Sequence, residues 1–114
     1  MVSRVLETSL ADLRAQVLTL LREDGRWLRG ATVIRRMINE PSPSLEDALQ
    51  RGGVDEEGEP VLRAAWRIYV EVLVPLVHEG ALEGEGNFGA QQDGRWLPGE
   101  APVDAAFVRV RARR

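Results

Sequence analysis

Residues 60–80 read PVLRAAWRIYVEVLVPLVHEG, and they decide the fold. On a helical wheel of about 100° per residue, the apolar side chains from Val61 to Glu79 spread over roughly 200°, centred near Leu62, Tyr69 and Leu76. An arc that wide needs more than one packing partner. Arg63, Arg67, Glu71 and His78 form the remaining polar strip, which Val74 interrupts. Pro60 suits the first turn, where a missing N–H costs nothing. Pro75 removes the bond to the carbonyl of Glu71, and a kink is expected there. Trp66, Val70, Val74 and Val77 lie toward the edge of the apolar arc, where surplus surface would await a second copy or another protein.

Working outward, Ser9 followed by Asp12 reads as an N-cap of the capping-box kind, and Leu10, Leu13, Val17, Leu20 and Leu21 continue at helical spacing to about Glu23. Gly25 ends that helix. Arg26 to Arg29 alternates like a short strand and Gly30 stops it; a second helix starts at Thr32, burying Val33, Ile34, Met37 and Ile38 with Arg35 and Arg36 outward. Pro41 and Pro43 end it. Residues 40–60 then read as an acidic inserted segment containing a short helix capped by Ser44, with Asp47 at the capping-box position, before the loop RGGVDEEGEP. After Gly80, ALEGEGNFGAQQDGRWLPG suits a loose β-hairpin, and the closing FVRVRARR alternates, with Val108, Val110 and Ala112 inward and Arg109, Arg111 and Arg113 outward.

The chain has 114 residues, which favours one domain over 1–114. Its 44% apolar and 29% charged composition is that of a soluble globular protein. Without cysteine there is neither a disulfide frame nor a thiolate metal site. Charges at Arg4 and Glu7 argue against a secretory signal, and the apolar run 72–77 is far short of a membrane span, so no membrane partner is expected and the cytoplasm is the default location. All fifteen basic residues are arginine. The acidity is local: residues 40–60 hold seven acids against Arg51 alone, and the rest of the chain holds fourteen arginines against eleven acids.

The order is helix, short strand, helix, inserted segment, long helix, hairpin, strand, an α+β arrangement. It resembles the winged helix-turn-helix superfamily, in which a third helix ends in a phrase like LVHEGALEGEG (Leu76 to Gly86) and runs into a two-stranded wing. The likeness covers roughly residues 9–98 in pattern, and the inserted segment departs from the usual tight turn between second and third helices. It also implies a reason why DGRWL occurs twice, at Asp24–Leu28 and Asp93–Leu97. Each copy is a turn followed by a strand with an inward tryptophan, and the strand after the first helix pairs with a wing strand.

The resemblance implies a non-enzymatic protein that binds double-stranded DNA, as a dimer, in transcription regulation or another DNA transaction. The third helix would enter the major groove by its N-terminal part, with Arg63 and Arg67 nearest base edges. Arg35, Arg36, Arg95, Arg109 and Arg111 would lie on phosphates, since the guanidinium fork donates two hydrogen bonds at once. Gln91 and Gln92 would touch the backbone from the wing. Against this stand Glu71 on the same strip, Glu83, Glu85 and Asp93 on the wing, and the inserted acids, because phosphate contacts supply most of the affinity. The alternative expectation is the same fold as a protein-interaction or assembly module, homodimeric or in a complex, contacting through Trp66, Val70, Val74 and Val77.

Other motifs resolve without chemistry. Gly84 to Gly89 fits GxGxxG, but no helix opens at its last glycine and Glu83 and Glu85 repel a pyrophosphate. His78 is the sole histidine and, at a helix end, favours the dipole. Asp55 to Glu59 lacks EF-hand ligand spacing. No metal, cofactor or catalytic constellation is expected.

Overall fold

The computed structural model describes residues 1–50, 58–89, 91–92, 95–96 and 108–113, with backbone alone for Gln91, Gln92, Arg95 and Trp96. The described elements are α1 (Val2–Glu7), α2 (Leu10–Asp24), β1 (Leu28–Arg29), α3 (Gly30–Ile38), α4 (Pro43–Gln50), α5 (Pro60–Trp66), a π-helical segment (Arg67–Leu73), α6 (Val74–His78), β2 (Leu82–Glu85), β3 (Gln91–Gln92), β4 (Arg95–Trp96) and β5 (Arg109–Ala112). The architecture is α+β, mainly helical, with a small antiparallel sheet in the order β1-β5-β2 and a separate β3-β4 ladder. None of the described helices is long and apolar enough to cross a membrane.

The three segments from Pro60 to His78 follow one another without a break, as the wide apolar arc requires, and they form the centre of the molecule. Val61, Ala64, Ala65, Ile68, Tyr69, Val70, Val72, Leu73, Val74 and Leu76 are all buried. α1, α3 and α4 pack on α5, while α1, α2 and α3 pack on the π-helical segment and β2 packs on α6. Ala64 and Ala65 help by letting neighbours approach closely. The disturbance expected at Pro75 takes the form of a register change. The N–H of Val74 reaches the carbonyl of Tyr69, five residues back, and the next residue is the one that has no N–H to donate.

α2 begins and ends as its sequence dictates. Ser9 Oγ accepts the Asp12 N–H at 3.2 Å, and Gly25, at φ 72°, supplies the left-handed stop. Several local expectations are corrected. Gly30 opens α3 instead of merely ending a strand, its N–H bonding the Val108 carbonyl at 2.9 Å. Ser42, not Ser44, caps α4: its hydroxyl accepts the Leu45 N–H at 3.2 Å, and Ser44 instead donates to Glu59 Oε1 at 3.2 Å. The strand after the first helix pairs with the C-terminal strand, Leu28 opposite Val110, and not with a strand of the hairpin expected after Gly80, whose first strand β2 also pairs with β5. In the first copy the inward residue is Leu28, while Trp27 is half-buried beneath arginines of β5. Arg95–Trp96 of the second copy pairs with Gln91–Gln92; Asp93, Gly94 and Leu97 lie outside the described residues. Residues 51–57 of the acidic segment lie outside them too.

α1 was not anticipated. Val2, Val5 and Leu6 have helical spacing, but six residues cannot hold a helix alone; it persists because Val5 is buried in the common core, with Val2 and Leu6 packed against it. At the sheet, β5 carries Val110 inward against β1 on one side and β2 on the other, and Val108 is buried just before it. Ala112, expected inward, is partly buried. Gly84 is required by packing: a Cβ there would come within 2.7 Å of the Phe88 ring and 2.8 Å of Val77.

The α4 cap separates the structure from the sequence expectation. Ser42→Ala is expected to lower unfolding free energy by about 1 kcal/mol, and Ser44→Ala by less than half of that. Urea denaturation of both variants checks this, and a larger loss at Ser44 would contradict the assignment.

Candidate functional site

The candidate site is the set of guanidinium groups, and each is placed by the element that carries it. On α3, Arg35 donates from Nε and Nη2 to the two oxygens of Glu46 on α4, both at 2.8 Å. This bidentate pair raises the pKa of Arg35 and lowers that of Glu46, the hydrogen bonding being the main cause for each. The neighbouring Arg36 donates to Asp24 Oδ2 at 2.8 Å, and Arg26 donates to Asp24 Oδ1 at 2.9 Å. Asp24, whose side chain is 10% exposed, thus serves two cations. The hydrogen bond from Arg26, and then that from Arg36, hold its carboxyl well below the usual carboxylate range.

On the central helix, Arg67 Nη1 donates to the carbonyls of Val5 and Leu6, each at 2.8 Å, and Nε lies 3.7 Å from Glu71. Those carbonyls belong to the last turn of α1, where no intrahelical donor remains. Arg67 therefore acts as a clamp that fixes α1 to the core, and its position is not one from which it reaches outward. Arg63 is exposed, with neither ion pair nor hydrogen bond to its side chain among the described residues.

On the sheet, Arg109 pairs with Glu85, and Arg111 pairs with Glu83 at 2.7 Å; the register sets each acid directly opposite its arginine. Both guanidinium groups also lie over the Trp27 ring, 5.6 and 4.5 Å from its centroid. Arg95, Gln91 and Gln92 contribute backbone to the β3-β4 ladder, and their side chains are outside the description.

The expected nucleic-acid residues are thus brought into four separate arrangements: Arg35 with α4, Arg36 with the end of α2, Arg67 with α1, and Arg109 with Arg111 on the sheet. The apolar residues expected to meet a partner serve the chain's own core. Val70 and Val74 are 7% and 1% exposed, and Trp66 and Val77 are half-buried against the core. Sequence reasoning missed Asp24 and Glu46. Asp24 was read as part of a turn, although Arg26 two residues later was a signal; Glu46 lies eleven residues from Arg35, and its pairing depends on how α4 folds back.

Among the described residues there is no group of three or more His, Asp or Glu side chains able to hold a metal ion. His78 Nε2 lies 3.0 Å from the Phe88 carbonyl, which ties the end of the central helix to the loop after β2. After Gly89 the next described element is the strand β3, Gln91–Gln92.

The Asp24 pairing has a pH signature. Its folded value is depressed, so the stability it contributes is complete above the ordinary carboxylate range, declines as pH falls below that range, and is gone once pH passes the depressed value. Asp24→Asn is therefore expected to be less stable than the parent at neutral pH, with the gap closing in strong acid. Denaturant midpoints across that range test this, and a gap independent of pH would contradict it.

No protein-family model, curated protein or solved structure matches the chain.

Proposed function

We propose that the chain is a winged-helix-type assembly module that self-associates through the outer face of its sheet and does not bind duplex DNA. The strand order β1-β5-β2, with the strand after α2 at one edge and the last strand in the middle, supports the winged-helix reading. The observation that carries the functional reading is the pairing of arginines with acids inside the chain. Surface ion pairs contribute only about 0–1 kcal/mol, so their strength alone would not keep phosphates away. Their charge does. Arg35, Arg67, Arg109 and Arg111 arrive with Glu46, Glu71, Glu85 and Glu83 beside them, leaving little net positive field along the central helix and the sheet, where DNA affinity would need it.

The sheet's outer face favours a second copy. Trp27, Arg109 and Arg111 are of the residue types that dominate protein contacts. Glu83 and Glu85 form an acidic column beside the basic column of Arg109 and Arg111. Two copies related by a two-fold axis can set each acidic column against the other copy's arginines. The patch is small against the roughly 800 Å² per partner of a stable complex. The described surface adds little apolar area elsewhere, Met1 and Leu10 being the exposed large apolar side chains among the described residues. Association is therefore weak and concentration-dependent.

Light scattering or sedimentation over a wide concentration range is expected to show a monomer–dimer equilibrium that Glu83→Arg with Glu85→Arg shifts to monomer. Titration with random-sequence duplex DNA at two salt concentrations is expected to show no salt-dependent binding. A strict monomer at the highest concentration, or DNA binding that falls steeply with salt, would overturn the proposal.

A further inference from the structure

Beyond the sheet face, the molecule has a polar cleft of about 520 Å³ bounded by α1, α2 and α3 and lined by Arg4, Thr8, Gln16, Arg36 and Asn39, with Val5 and Met37 as its apolar part. We propose that this cleft binds a small anionic ligand, one whose carboxylate or phosphate group is held by Arg4 and Arg36 and whose short apolar portion rests on Met37.

Charge supports this first. Arg4 is exposed and makes no ion pair among the described residues. Arg36 and Arg26 share the single carboxylate of Asp24, so one positive charge is left over at that rim. Nearby Glu40, which accepts the Val2 N–H at 2.9 Å, cancels only one of these two positive charges. The surplus is therefore positive here, on a chain whose net charge is −3.

Donor geometry is the second support. Arg36 commits Nη1 to Asp24, which leaves the rest of its fork able to donate. Gln16 and Asn39 bring amide groups that both donate and accept, and Asn39 is held in place by its left-handed backbone, φ 52°, and by its N–H on the Arg35 carbonyl at 2.8 Å. Thr8 spends its hydroxyl proton on the Arg4 carbonyl and keeps its lone pairs for a ligand hydroxyl or ammonium. Size is the third: 520 Å³ falls within the roughly 300–1,000 Å³ of small-molecule sites. A ligand seated there would bridge α1 to α2 and α3, reinforcing the short helix that Arg67 also holds through its terminal carbonyls.

Inorganic phosphate and succinate, each titrated at constant ionic strength, serve as probes for the two sources of the anionic group. Backbone and arginine Nε resonances in ¹H–¹⁵N spectra report binding. At least one probe is expected to give saturable shifts confined to Thr8, Gln16, Met37, Asn39, Arg4 and Arg36, and Arg4→Ala is expected to weaken it about tenfold, the value of one charge-assisted hydrogen bond. Gln16→Ala should weaken it less, and Arg63→Ala, removing another exposed cation elsewhere, should leave it unchanged. Absence of saturable shifts with both probes at millimolar concentration, or an equal loss in Arg63→Ala, would overturn the site. This test is independent of self-association, which the sheet variants report.

Discussion

The constraint on which the structure depends is the width of the apolar arc between Pro60 and His78. A helix apolar on one narrow stripe can lie at a surface; one whose buried side chains include Val61, Ala64, Ala65, Ile68, Val72 and Leu76 must be enclosed. Every other element follows as cover. α2 and α3 supply one wall, α4 folds back over α5, β2 closes the far end, and α1 fills what would otherwise be an opening. α1 is too short to be stable by itself, so its existence is a consequence of that opening, secured by Val5 in the core and by Arg67 on its terminal carbonyls.

Enclosure changes what the polar side chains can do. On the polar strip of the central helix Arg63 stays exposed, but Arg67 is drawn inward to satisfy the Val5 and Leu6 carbonyls at the end of α1. Elsewhere the fold places acids beside arginines through geometry that spans many residues: Glu46 arrives by the α3–α4 turn, Glu83 and Glu85 by the β2-β5 register, Asp24 by the end of α2. The resulting surface alternates in sign over short distances, a pattern suited to a complementary protein surface and poorly suited to the uniform charge of a phosphate backbone.

The legible parts of the sequence were those governed by local rules. Helical spacing located α2 and the central helix, Ser9 and Gly25 marked α2's ends, and strict alternation gave Val110 inward and Arg109 outward. The order of elements placed the strand after α2 against a later strand, yet local rules could not choose which one. A two-residue ambiguity such as Ser42 against Ser44 turns on where the helix begins, and Pro43 takes its first position. The candidate site was the least legible: arginines are visible in a sequence, but whether each faces a carboxylate is decided by tertiary placement. Val70 and Val74 likewise looked surplus on the wheel, although the tertiary fold buries both, because a wheel does not show which elements pack around the helix.

Amide hydrogen exchange, followed residue by residue, tests most directly whether the central helix is enclosed. Ile68 to Leu73 are expected to be among the slowest amides of the protein, opening only with global unfolding, with the amides of α1 exchanging faster and by local detachment. Rapid exchange across Ile68 to Leu73, comparable to that of α1, would contradict an enclosed centre and with it the account of how the arginines are spent.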